Sequence, residues 1–218
     1  MELARVDTQK AYEHIKRKII TLELAPGSPI DEGALSLELN LAPSAVREAL
    51  KLLAYEHLVH ITPRHGIRVA EANPADLRQL FEMRLPLEVL CAEMAAQRAT
   101  PDDITVLDML VREYERAKRE GKLDELLDLD HRYHRALANA AHNRYMHETL
   151  ERFFGLSERL WHLASPQIDW LIAGLERHAA LVEAIKAHDA GRAAALMAEH
   201  VRDFQRHIEH ALHLDEEA

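Results

Sequence analysis

From Asn73 onward the chain carries its apolar residues at helical spacing, and its helix breakers stand only where helices start or stop. Asn73-Pro74 offers a cap followed by proline at the first helical position. Thr100-Pro101-Asp102-Asp103 is a second start, with acids suited to the positive end of a helix dipole. Gly121, Asn143, Ser165-Pro166 and Gly191 punctuate the rest. The spacing predicts six helices, at roughly 74–98, 101–120, 123–141, 144–163, 168–188 and 191–212. Helices striped on one side bury those stripes against one another, so this part should be an all-α bundle. Pro86 is expected to kink or break the first of them, because it lacks an N–H and its ring crowds the preceding turn.

The first 70 residues read differently. "TQKAYEHIKRKIITLEL" has Thr8 as a cap candidate and Ala11, Ile15, Ile19 and Leu22 at helical spacing, and "APGSP" ends it. Asp31 can cap a short helix, "EGALSLEL". After the turn "NLAPS", a third helix places Val46, Ala49, Leu50 and Leu53 on one face. "LVHIT" and "IRVA" flank the turn "PRHG" and read as a β-hairpin. The fold class is therefore mainly α: a winged helix-turn-helix of three helices and a hairpin over residues 1–72, then an all-helical domain over residues 73–218.

Of the 218 residues 48% are hydrophobic, enough for a core in each part. No stretch approaches the ~18 apolar residues that span a bilayer. The opening "MELARVDTQKAYEHIKRK" lacks the apolar run of a signal peptide. The single Cys91 forms no internal disulfide. These features lead us to expect a cytoplasmic protein without a membrane partner. The formal net charge of −10 would repel nucleic acid if spread evenly. It is not: residues 1–72 hold nine Lys/Arg against ten Asp/Glu, so most of the acidity lies beyond them.

A winged helix-turn-helix lays its third helix in the major groove and its wing along the backbone or minor groove. The outer face of the third helix should carry Ser44, Arg47 and Lys51, and the wing offers Arg64, His65 and Arg68. Long donors of this kind reach base edges or phosphates. The same charges also suit an ordinary solvated helix face, and three basic residues are few.

In the helical part, polar groups interrupt the apolar stripes. Leu127, Asp130, His134, Leu137 and Ala141 share a face; so do Leu171, Leu175, His178, Val182 and Ile185; so do Met197, His200, Phe204 and Ile208. Three helices thus aim a carboxylate and three imidazoles inward. Buried polar groups need partners. A shared divalent ion would serve all four, and such donors suit Zn, Ni, Mn or Fe(II). Hydrogen bonding to Tyr or backbone is the alternative for each histidine, and His131 competes with His134. The other histidines between His142 and His213 read as surface or structural. Arg84 lies on a stripe with Leu77, Leu80, Phe81 and Cys91. An inward arginine wants an anion, and Glu88, one turn on, is the local partner.

The segment 25–69, through "PGSPI", "VREALKLL", "HLV" and "PRHGIRV", resembles the winged-helix domain of the GntR family of bacterial transcription regulators. The region 74–212, through "FEMRLPLEVLCAEMAA", "DHRYHRALANAAHN" and "ERHAALVEAIKAHDAGRAAALMAEH", resembles the FCD effector-binding domain of its FadR-like subfamily. The first resemblance implies operator binding and places Arg47 at the family's helix-3 arginine and His65-Gly66 at its wing tip. The second implies one divalent ion per chain, on Asp130, His134, His178 and His200, which match the subfamily's ligand positions. It also implies that Arg84 faces an effector pocket, and that an effector weakens DNA binding, as in a repressor. Pro86 departs from the family's usual pattern there. Gly33 stands where the family usually has an arginine, and Ala42-Pro43 where it has a Ser/Thr-Arg pair, so the operator should differ from the family's common half-site. A homodimer joined through the helical domain is expected, since helix-turn-helix proteins commonly read paired half-sites.

Two other functions fit the residues. A metal-dependent enzyme could use the Asp/His group, although no His-Glu-x-x-His, Gly-x-Gly-x-x-Gly or Glu-x-x-His occurs. A purely structural bundle with buried histidines is the third.

Overall fold

A computed structural model describes residues 2–71, 73–164 and 169–212. The chain divides into two compact units, Met1–Asn73 and Pro74–Ala218.

The first unit is built on α1 (Glu2–Ile20), α2 (Glu32–Leu39) and α3 (Pro43–Tyr55). Ala11, Ile15 and Ile19 of α1 and Val46, Ala49, Leu50 and Leu53 of α3 are fully buried, and the two helices pack on each other. Asp31 caps α2 as expected, accepting from the N–H groups of Gly33 and Ala34. Three features differ from the sequence expectation. The first helix begins at Glu2 rather than at Thr8, because Leu3, Ala4 and Arg5 favour helix and let it run through the threonine. It also ends before Leu22, which turns left-handed (φ 62°) while the Leu22 N–H closes on the Ile19 carbonyl and the Leu24 N–H on the Lys18 carbonyl. Finally, the hairpin of β2 (Val59–Thr62) and β3 (Gly66–Val69) gains a third strand, β1 (Pro29–Ile30). The order is β1-β3-β2, all antiparallel, with Ile30 opposite Ile67 and Val59 opposite Val69. Two residues are too few to show a period of 2, so β1 left no signal. Gly27 makes the approach to β1 possible. Its φ is +71°, its N–H donates to the Val69 carbonyl, and a Cβ there would lie 2.1 Å from a Glu71 carboxylate oxygen.

The second unit is a bundle of α4 (Pro74–Arg98), α5 (Pro101–Glu120), α6 (Leu123–Ala140), α7 (Arg144–Ala164), α8 (Asp169–Lys186) and α9 (Ala190–Ala211). The boundaries follow the punctuation. Thr100 and Asp103 form a capping box at the start of α5, and Gly121 ends it at φ 67°. Helix α4 is the hub, packed against α9, α6, α7 and α8, while α5 covers α6 and α8. The side chains of Leu171 and Leu175, together with Ser165-Pro166 and His213, lie outside the described residues. Among the described residues no helix is long and apolar enough to cross a membrane.

Pro86 does not break α4. It sits on the exposed side with Glu82, so the carbonyl it leaves unpaired is on the side that water reaches. On the opposite side Phe81, Arg84, Glu88 and Cys91 are buried and hold the helix on both sides of the proline. An exposed mid-helix proline still costs up to about 3 kcal/mol relative to alanine. Pro86→Ala should therefore raise stability by about 1–3 kcal/mol, read as a higher Tm by circular dichroism; a lower Tm would mean that the proline shapes the packing instead.

Candidate functional site

In the first unit α3 opens at Pro43, with Ala42 as an N-cap that makes no side-chain bond. Its buried face is Ala45, Val46, Ala49, Leu50 and Leu53, which leaves Ser44, Arg47 and Lys51 exposed on the other. Arg47 Nε donates to Glu32 Oε2 at 3.0 Å, and Lys51 Nζ to Glu48 Oε1 at 2.7 Å. Exposed pairs of this kind contribute at most about 1 kcal/mol, so a phosphate or base edge can displace the carboxylates. Arg64 (φ 65°) and His65 stand exposed at the tip of the β2–β3 turn. Arg68 is set back on β3 and anchored, its Nη1 donating to the Gly27 carbonyl at 2.8 Å. Gly33 presents no side chain beside the Asp31 cap.

In the second unit three helices converge. Asp130 and His134 lie one turn apart on α6, His178 comes from α8 and His200 from α9. One ligand-type atom from each lies within 4.8 Å of the others. His134 Nε2 is 3.0 Å from His200 Nε2, and Asp130 Oδ1 is 3.8 Å from His134 Nε2 and 3.6 Å from His178 Nε2. All three histidines are buried. Tyr133 stacks on the His178 ring, with centroids 4.0 Å apart, and its hydroxyl donates to the His178 carbonyl. His178 is thereby held in place by its backbone and ring face, yet neither of its ring nitrogens has a hydrogen-bond partner.

The shortest of these distances is compatible with two ligands on one ion. Two imidazole nitrogens each about 2.0–2.1 Å from one ion lie about 2.9 Å apart at a right angle and about 3.4 Å apart at the tetrahedral angle. The His134–His200 separation falls in that interval. A hydrogen bond between those two would also explain it, but would leave both nitrogens of His178 unserved.

The electrostatics keep the ring nitrogens of His178 and His200 free of extra protons. Burial, with His200 and His134 adding to it, drives His178 well below the ordinary imidazole value. Burial and then His134 push His200 down to about 3. For His134 burial acts in the same direction, but Asp130 and Glu88 outweigh it and raise the group. Burial raises the Asp130 carboxyl, although 31% of its side chain opens on a cavity, because the neighbouring atoms displace most of its hydration.

That cavity is partly open to solvent. Its lining includes the polar side chains of Arg84, Asp130, His134 and His200 and the aromatic rings of Phe154, Trp161 and Phe204. Arg84 is buried, with Nε donating to Glu88 Oε1 and Nη1 to Ser157 Oγ, both at 2.7 Å. The local partner anticipated for it is thus in place, while the residue also borders the cavity. His131 faces Glu151 and Glu158 at the cavity edge and stands apart from the four-residue group. Among the histidines read as surface or structural, His142 pairs with Asp103 and His188 Nδ1 with the Ala96 carbonyl. Sequence reasoning missed Tyr133, Phe154, Ser157 and Trp161, which look like ordinary helix-stripe residues until the bundle is assembled.

Comparison with known proteins matches residues 79–203 to the FCD domain and residues 7–69 to the gntR family of bacterial regulatory proteins. The chain is 30% identical over 200 residues to the Nta operon transcriptional regulator of Aminobacter aminovorans, covering 89% of this chain and 90% of that one. It is 24% identical over 200 residues to the HTH-type transcriptional repressor RspR of Escherichia coli, covering 92% and 88%. The solved structure of E. coli McbR/YncC superposes with a TM-score of 0.82 at 21% identity, covering 95% of this chain and 98% of that one.

The depressed histidines set a pH dependence. As pH falls through about 6.5 the unfolded chain takes up protons that folded His178 and His200 refuse, and each refused proton costs about 1.4 kcal/mol per pH unit. His134, raised, works the other way for one group. Metal-free protein should therefore lose stability from pH 6.5 towards 5, and His200→Asn should flatten that loss. A Tm independent of pH in this window would contradict the burial of neutral imidazoles.

Proposed function

The chain belongs to the gntR family of bacterial regulatory proteins, in the branch that carries an FCD domain, and is a DNA-binding transcription regulator rather than an enzyme; we propose that it is a repressor whose hold on operator DNA is released by a small carboxylate bound at a divalent metal. Residues 1–72 form the DNA-binding domain and residues 73–218 the metal-binding, effector-binding and dimerisation domain. The protein works in the cytoplasm as a homodimer on a pseudo-palindromic operator. The similarity to a protein named as a repressor supports the direction of control.

Ser44, Arg47 and Lys51 enter the major groove, while Arg64 and His65 reach the backbone or minor groove. Arg68 supports the wing through its bond to Gly27 as well as offering charge. Gly33 and Pro43 remove two donors from this surface. Arg47 therefore carries a larger share of the readout.

One observation carries the metal reading: His178 is buried and held in place, with both ring nitrogens unserved, beside an Asp130 oxygen and two further imidazoles. Asp130, His134, His178 and His200 would hold one ion per chain. Zinc, nickel, manganese or iron all accept this donor set. When bound, the ion supplies a positive charge at the floor of the cavity. Arg84 has five N–H donors and gives one to Glu88 and one to Ser157, so its remaining edge can hold the effector carboxylate. The aromatic wall takes the apolar part of the ligand. Since the DNA-reading and ligand-binding groups belong to different units, the ligand acts by changing how the two DNA-binding domains of the dimer are presented. Such coupling typically amounts to about 1–3 kcal/mol.

Arg47→Ala should weaken binding to DNA from upstream of the protein's own gene by about 1–3 kcal/mol, the value of a bidentate base contact, and wild-type binding should fall steeply with salt. Equal affinity of variant and wild type in fluorescence anisotropy would take Arg47 out of the interface. Purified protein should hold one metal per chain by elemental analysis, with affinity declining as pH drops because ligand imidazoles must be neutral. A His178→Ala/His200→Ala double variant that retains full occupancy would refute the ligand set.

A further inference from the structure

The bundle holds a second carboxylate that the ligand set does not use. Glu88 is buried on α4, one turn beyond Arg84. Its Oε1 accepts from Arg84 Nε at 2.7 Å, and its Oε2 lies 3.2 Å from His134 Nδ1. His134 turns its other nitrogen, Nε2, toward Asp130 and His200. Glu88 and the ligand group therefore sit on opposite edges of one imidazole. Burying a carboxylate costs several kcal/mol unless it is paired, and Arg84 is the pair. Arg84 is fixed in turn by Ser157 of α7 and by the rings of Phe81, Phe154 and Phe204, each within 5.7 Å of the guanidinium carbon.

A neutral imidazole carries its proton on one nitrogen only, and the nitrogen without it is the one that binds a metal. A carboxylate facing Nδ1 favours the Nδ1–H tautomer and leaves the Nε2 lone pair for the ion. We propose that Glu88 is a positioning residue of the metal centre, which selects the tautomer and ring orientation of His134, and that Arg84 serves this by holding the carboxylate in place through its Nε. The inference rests on the four-residue metal site proposed above and gives Arg84 a second duty. An effector carboxylate arriving at Arg84 competes for the guanidinium that steadies Glu88. The effector and the metal thereby share one chain of polar contacts, from Ser157 through Arg84 and Glu88 to His134.

The test uses the full-length protein, with zinc as the probe. Zinc affinity is measured by competition with a chromophoric chelator for wild type, Glu88→Gln, Arg84→Met/Glu88→Met and His200→Ala. Removing the outer partner of a ligating histidine typically weakens metal binding 10–100-fold, and that loss is expected in Glu88→Gln. The double variant removes both buried charges together and so keeps the fold if Glu88→Gln does not; the same loss is expected in it. Long-range ¹H–¹⁵N spectra of the metal-free histidine side chains give a readout that packing alone would not move: His134 should show the Nδ1–H tautomer in wild type and a mixture in the variants. Wild-type zinc affinity in the variant that folds, alongside loss of zinc in His200→Ala, overturns the role of Glu88 while leaving the metal site standing. Unchanged zinc affinity in His200→Ala overturns the metal site and this inference with it. An Nε2–H tautomer of His134 in wild-type protein also overturns the inference.

Discussion

The second unit depends on how a helical bundle accommodates ionisable groups in its core. Arg84, Glu88, His134, His178 and His200 are all buried, and Asp130 opens only on the cavity. Water cannot solvate them, so each must be served by a neighbour or lose its charge. The Arg84–Glu88 pair takes the first course. Burial opposes ionisation of Glu88, but Arg84 and His134 outweigh it and hold the carboxyl at about 2. His178 and His200 take the second and stay neutral. What remains is a set of imidazole nitrogens and one carboxylate oxygen around a point, the donor set on which the proposed metal site rests. The helix-stripe positions that would otherwise hold leucine have been given to these groups, at a cost in packing that a bound ion would offset.

The first unit solves a different problem with little material. Its core is small, and it rests α3 on α1 through alanine, valine, isoleucine and leucine contacts. Small residues such as Ala11, Ala45 and Ala49 let these elements approach closely. The third strand and the Arg68–Gly27 bond tie the wing to the loop before α2. With Gly33 and Pro43 in place of longer donors, the outer surface of this unit is spare. The positive charge it shows to solvent is local, set against carboxylates such as Glu32 and Glu48 that are held only by exposed ion pairs.

Much of this was legible in the residues because it follows from periodicity and punctuation. Six helices of the second unit begin and end within a few residues of where caps, glycines and prolines place them, since such signals act locally. The interrupted stripes named Asp130, His134, His178 and His200 as inward-facing, because a helix commits each position to a face. Local chemistry also misled in places. Pro86 was expected to kink or break α4; the helix runs on through it, with tertiary packing on the opposite side. Leu22 kept the helical spacing but lies past a left-handed stop.

The sequence by itself therefore determined the two-part organisation, the helices and which side chains turn inward. Only the tertiary structure decided which of fifteen histidines meet, because the distance between α6, α8 and α9 is set by how their remaining side chains pack and not by any spacing along the chain. It also decided that Glu88 lies behind His134. In sequence Glu88 is only the helical neighbour of Arg84, and its second partner is 46 residues away on another helix. A contact of that kind exists once the bundle is closed, and no local pattern encodes it.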